Sequence, residues 1–92
     1  MRDLRFSLQL PAHPVSVAAA RSVVRVLQPW VEDEQLGLVE LIVSELVTNA
    51  VRHGSLGTED RVDVELAVSD QAVSGCVRDR GPAFVVPNLP PR

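Results

Sequence analysis

The chain contains no lysine; all nine of its basic residues are arginine. That reflects genome composition more readily than function, because the exchange costs little on a solvated surface. A basic cluster is also missing. The arginines are scattered and the net charge is −3, which excludes general nucleic-acid binding, since phosphate neutralisation needs a basic face. There is one cysteine, Cys76, so no internal disulfide can form and a reducing cytoplasm is the expected compartment. Cys76 reads as a small buried hydrophobe in a strand rather than a nucleophile. No His or Cys residues stand at metal-ligand spacing. The opening MRDLRF lacks an apolar signal core, and no apolar run approaches membrane-spanning length. No internal repeat is present.

What remains is an ordinary globular composition, 46% hydrophobic and 23% charged over 92 residues, with valine very abundant. A chain this short forms one domain over residues 1–92 and buries about two-thirds of its unfolded surface. Leu4, Phe6, Leu8 and Leu10 alternate with Arg5, Ser7 and Gln9, predicting a half-buried strand that Pro11 ends. Pro14 suits the first turn of a helix. Val15, Ala19, Val23, Val26 and Trp30 recur at helical spacing, with Arg21 and Arg25 on another face; Pro29 marks an end or a kink. A second helix is expected from an N-cap near Asp33 to His53, with Gly54 as its C-terminal cap. Residues 55–60 read as a loop. Val62, Val64, Leu66 and Val68 alternate with Asp63, Glu65 and Ala67, a second strand. A tight turn at Ser69-Asp70-Gln71 leads to a third strand, from Ala72 to about Asp79. The tail GPAFVVPNLPPR shows no periodicity. The order β, α, α, β, β predicts an α+β two-layer sandwich, with helices on one face of a mixed, largely antiparallel sheet and Asp63 and Glu65 on the other.

The second helix carries the chemistry. At 100° per residue, Glu45 and Asn49 lie about 40° apart, one turn above each other. A bare Glu-xxx-Asn pair is usually a solvated stripe. Here Leu38, Leu41 and Ile42 precede Glu45 on the same face, and Val39, Val43, Leu46 and Ala50 occupy the opposite one. The first half of the helix therefore reads as buried on nearly all sides, with polarity opening from Ser44 onward. A carboxylate and an amide at the edge of a buried region need partners, and a hydrated magnesium ion with phosphates would satisfy both. Asp79 shares strand parity with Val73 and Val77, so its carboxylate should point toward the helices. Gly81 and Pro82 follow it and allow a sharp turn.

These residues resemble the GHKL ATPase superfamily, and within it the small serine kinases that act as bacterial anti-sigma factors. The stretch Glu45-Leu-Val-Thr-Asn49-Ala-Val-Arg-His53-Gly54 looks like their N box. Asp79-Arg-Gly81-Pro-Ala-Phe84 looks like the first glycine box. Leu10-Pro-Ala-His-Pro, Ala20-Arg21, Leu27, Trp30 and Leu36 are similar to the family's N-terminal region, so the resemblance covers essentially the whole chain. It implies ATP and Mg2+ as cofactors, with Asn49 as the magnesium ligand and Glu45 as the general base. It further implies that Asp79 accepts from the adenine amino group and that Gly81 lets the backbone approach the base. Arg52 and His53 would border the phosphates. Ala83, in the nucleotide-binding set, stands where the box normally has a second glycine, and its methyl group could crowd the turn. The implied activity is transfer of the γ-phosphate of ATP to a serine of an antagonist protein, alternating with sequestration of a sigma factor. A non-catalytic protein-binding module of the same fold is the other reading. A sensor-histidine-kinase domain fits less well, because such domains lack a carboxylate at the position of Glu45.

The family continues into a lid, a second glycine-rich motif and further strands that do not follow Arg92. The expectation is a natural or engineered shortening, or a degenerate relative, with weak ATP binding and no appreciable kinase activity of its own. Glu45, Asn49 and Asp79 are expected to converge on one pocket at the edge of the helix–sheet interface. Shortening would also expose a sheet edge and apolar surface, which predicts a homodimer. Light scattering on the 92-residue chain should find a dimer; a monomer across a wide concentration range would refute it.

Overall fold

The computed structural model describes residues 3–53, 61–77 and 80–87. In chain order the elements are strand β1 (Leu4–Pro11), helix α1 (Val15–Val24), a 3-10 turn (Arg25–Leu27), helix α2 (Asp33–His53), and strands β2 (Arg61–Val68), β3 (Ala72–Val77) and β4 (Arg80–Pro87). The strands form one sheet in the order β1-β2-β3-β4, and all three pairings are antiparallel. Both helices lie between β1 and β2 in sequence and cover one face of the sheet. This is the α+β two-layer arrangement that the alternation implied.

Strand alternation decides which sheet face is covered. Val62, Val64, Leu66 and Val68 of β2 are all buried, as are Val73 and Val77 of β3, while Asp63 and Glu65 occupy the intervening, partly exposed positions. From the helix layer, Leu36, Val39, Val43, Val47 and Ala50 of α2 meet them, none more than 1% exposed. Between β2 and β3, the Ser69 hydroxyl accepts from the Gln71 and Ala72 amides at 3.2 and 3.1 Å. Such a bond pattern is how a serine replaces a backbone turn partner.

Five readings need correction. The inward stripe of α1 is Ser16, Ala20 and Val24, continued by Leu27 in the turn, whereas Val15 and Val26 are 63% and 52% exposed. The predicted stripe was out of phase because a serine was not counted as core. Ser16 is tolerated inside because its hydroxyl donates to the Pro11 carbonyl at 2.5 Å. The α-helix also ends earlier, at Val24. Pro29 lacks the N–H that an α-helix would aim at the Arg25 carbonyl, and that carbonyl takes the Gln28 amide at 3.1 Å, closing a 3-10 turn.

At the start of α2, the first helical bond runs from the Leu36 amide to the Glu32 carbonyl at 2.8 Å. The cap position is thus Glu32, and Asp33 sits inside the first turn, where a negative charge favours the helix dipole. Cys76 is half-buried on the open sheet face rather than in the core, opposite Glu65 across the β2–β3 ladder. Its thiol donates to Glu65 Oε2 at 3.7 Å.

The fifth correction is β4, formed by a stretch that reads as irregular tail. Phe84 pairs with Gly75 and Arg80 with Val77, so three residues of β4, Gly81 to Ala83, oppose Cys76 alone. Such a bulge hides the period-2 pattern, and proline at 82 and 87 reads as a strand breaker although prolines are tolerated at bulges and sheet edges. Val86 nevertheless reaches the core at 5% exposed while Val85 is 68% exposed.

Two glycines make opposite predictions. A Cβ on Gly75 would lie 2.5 Å from the Glu65 carbonyl oxygen and 2.8 Å from Leu66 Cδ2, whereas a Cβ on Gly37 would meet nothing within 4 Å. Gly75→Ala should destabilise by about 1–3 kcal/mol through overpacking. Gly37→Ala, in an exposed helix interior, should stabilise by about 0.5–1 kcal/mol. Urea unfolding of the two variants checks both signs.

Candidate nucleotide site

The rotation of α2 about its own axis sets what the site can be. With Val39, Val43, Val47 and Ala50 buried against the sheet, the opposite stripe faces outward. That stripe comprises Glu34, Leu38, Leu41, Glu45, Asn49 and Arg52, which fall within about 80° of one another at 100° per residue. All six are exposed. Leu38 and Leu41 are therefore not buried on a second apolar side as expected; they are 48% and 60% exposed. The sheet covers one face of α2 and α1 covers a flank, and among the described residues nothing covers the outer face.

The flank is tied by polar contacts. Ser44 is 4% exposed; its hydroxyl donates to the Glu40 carbonyl at 2.7 Å and accepts from Arg21 Nε at 2.7 Å. Thr48 repeats the pattern, donating to the Ser44 carbonyl at 2.6 Å. One turn earlier, Arg25 reaches Glu40 Oε2 at 3.2 Å. The arginine side chain is 60% exposed, so this pair contributes little, of order 0–1 kcal/mol. The Arg21–Ser44 bond is the more informative contact, because a buried hydroxyl left without its partners is costly. It registers α1 against the residue adjoining Glu45. Periodicity placed Arg21 only on a polar face; that it turns toward α2 was not visible.

Glu45, Asn49 and Arg52 are thus brought together on consecutive turns of one exposed ridge, and His53 closes the helix. The ridge lies away from the helix–sheet interface, not at its edge. Asp79 lies outside the described residues. Gly81 lies in the bulged part of β4. Ala83 lines a cavity of about 420 Å3 on the open sheet face, beside Glu65 and Cys76. The structure does not bring Ala83 onto the ridge.

The ridge is equipped for an anion–cation pair from solution. Among the described residues, the side chains of Glu45 and Asn49 have no hydrogen bond or ion pair, so both keep their full capacity for an external ligand. An amide oxygen and a carboxylate are hard donors suited to magnesium. Asn49 stands just before the last turn of α2, near the end where the helix dipole favours a cation, and Arg52 in that last turn offers donors for phosphate oxygens. Among the described residues no group of three or more His, Cys, Asp or Glu could hold a metal. A cation here would need a ligand's own oxygens to complete its shell, as magnesium usually does with phosphates. No helix among them is long and apolar enough to cross a membrane.

No curated protein and no solved structure matches the chain. A family model does. It describes a histidine kinase-like ATPase domain and matches residues 10–92, from the last inward residue of β1 through α2 and beyond β4. That match spans most of the chain, and the chain belongs to the histidine kinase-like ATPase domain family.

Proposed function

We propose that this chain carries the magnesium-nucleotide face of a regulatory protein serine kinase of the anti-sigma-factor type. Its partners would be a sigma factor and an antagonist protein that receives the phosphate, and it would act in the cytoplasm as a homodimer. The observation that carries the proposal is the exposed, unpartnered Glu45 one turn from Asn49. A histidine-kinase-like domain that only passes phosphate to a histidine needs no carboxylate there; one that activates a hydroxyl does.

In this reading the Asn49 amide oxygen would hold the metal, and Arg52 and His53 would border the phosphates. Asp79 and Gly81 receive the adenine. Magnesium, when bound, would neutralise charge on the phosphate oxygens. Glu45 takes the proton of an acceptor hydroxyl as that oxygen bonds to the γ-phosphorus. The bond from that phosphorus to the bridging oxygen breaks, and the electron pair leaves with ADP. Positioning and electrostatics supply most of the rate in such transfers, so the stiffness of α2 is itself useful. A second reading, a partner-binding module in which nucleotide plays little part, is favoured by one observation: the exposed Leu38 and Leu41 beside the site.

Both key side chains are exposed and unpaired, so function and folding can be separated. Glu45→Gln and Asn49→Ala should each leave unfolding free energy within about 0.5 kcal/mol of the parent. Glu45→Gln should leave the weak magnesium-ATP binding of this chain unchanged, and should lower by roughly 10²–10⁴-fold the phosphoryl transfer of a protein that carries this face together with the family's lid and second glycine-rich motif. Asn49→Ala should lose the magnesium dependence of binding. Calorimetric titration and a transfer assay at millimolar magnesium-ATP read these outcomes. Transfer unaffected by Glu45→Gln would sink the base assignment, and binding indifferent to Asn49 would favour the module.

A further inference from the structure

Three of the six residues on the outer ridge of α2 belong to the site; Glu34, Leu38 and Leu41 do not. The two leucines are among the few large apolar side chains left open to solvent. Neither leucine belongs to the buried core or to the apolar side chains packed against it, and an apolar pair held in water at the rim of the proposed site marks a contact surface. Their order along the helix gives them a direction. At 1.5 Å per residue, Leu41, Leu38 and Glu34 lie about 6, 10 and 16 Å from Glu45 toward the helix N-terminus. Asn49 and Arg52 lie on the other side.

In-line transfer requires the acceptor hydroxyl to approach Glu45 from the side the phosphates do not fill. That path runs over Leu41 and Leu38. At its far end Glu34 is exposed and has no ion pair among the described residues. No basic residue shares the ridge before Arg52.

We propose that Glu34, Leu38 and Leu41 are specificity-determining residues that dock the acceptor. The acceptor would be a hydroxyl-bearing polypeptide segment with apolar side chains beside the hydroxyl and a basic residue beyond them. The inference rests on the kinase reading and deepens it; the chemical step is the one already balanced, with the proton passing to Glu45 and the departing electron pair to ADP. Charge complementarity selects a basic segment over an acidic one, because a like charge opposite Glu34 is repelled. An extended segment rises about 3.3 Å per residue. Its apolar residues therefore fall about two to three positions from the serine, and its arginine about five.

The test is binding to an array of serine-containing peptides in which apolar and arginine positions are scanned, with magnesium and a non-hydrolysable ATP analogue present. The protein should select serine peptides with that spacing. Leu38→Ser with Leu41→Ser should weaken selection of the apolar positions by roughly tenfold. Glu34→Lys should reverse the distal preference from arginine to glutamate, a change that a merely structural role would not produce. All three positions are exposed; the leucine pair should melt as the parent does, and Glu34→Lys only slightly lower, because a positive charge in the first turn of α2 opposes the helix dipole. Calorimetric binding of the analogue should be unchanged in both variants. Peptide selection unaffected by these substitutions, or absent while the analogue still binds, would overturn the docking assignment. Selection that ignores serine would mean a plain partner surface and overturn the acceptor role. Lack of Asn49-dependent analogue binding would overturn the kinase reading itself, which the same titration reports separately.

Discussion

The valine-rich contact between α2 and the sheet sets the orientation of everything else. Val39, Val43 and Val47 enter a floor made by Val62, Val64, Val73, Val77 and Val86, and each of these is 5% exposed or less. A β-branched side chain in a helix has essentially one rotamer, so this contact fixes the rotation of α2 rather than merely its position. A turn of one residue, 100°, would carry Glu40 or Ser44 toward the sheet and lose the apolar stripe. The stripe opposite the valines is then determined, and it is the stripe with Glu45 and Asn49.

Stability and chemistry are divided between the two sides of one helix. The inner side is apolar and packed. The flank facing α1 is satisfied by the Arg21–Ser44 and Arg25–Glu40 contacts. The outer side carries side chains that the fold does not use, and this lets a carboxylate and an amide stay uncommitted until a ligand arrives. A stiff element presenting uncommitted polar groups is what a positioning-dominated reaction asks for.

Much of this could be read from residues alone, for identifiable reasons. The limits of α2 were legible because acidic residues crowd its start and polarity grows toward His53. The sandwich was legible because β1 and β2 alternate cleanly. The phase of α1 was not, since an alanine-rich helix with an inward Ser16 has no sharp apolar face. β4 was hidden by its prolines and by the three-to-one bulge opposite Cys76. Leu38 and Leu41 misled for a different reason. Pattern reading assigns every leucine to a core, and nothing in the residue type distinguishes a leucine that packs from one that waits in solvent. The same error made the site look like the edge of a buried region, when Glu45 and Asn49 stand on an open ridge. Asp79 was singled out by strand parity with Val73 and Val77 and lies outside the described residues.

The outer ridge of α2 is proposed to receive the metal–nucleotide. Paramagnetic broadening of backbone and Asn side-chain amide signals by manganese(II) with an ATP analogue tests it without relying on catalysis. Broadening centred on Glu45, Asn49 and Arg52, and lost in Asn49→Ala, is the predicted result. Broadening centred on Glu65, Cys76 and Ala83 at the open sheet face, or none at saturating nucleotide, would contradict the account.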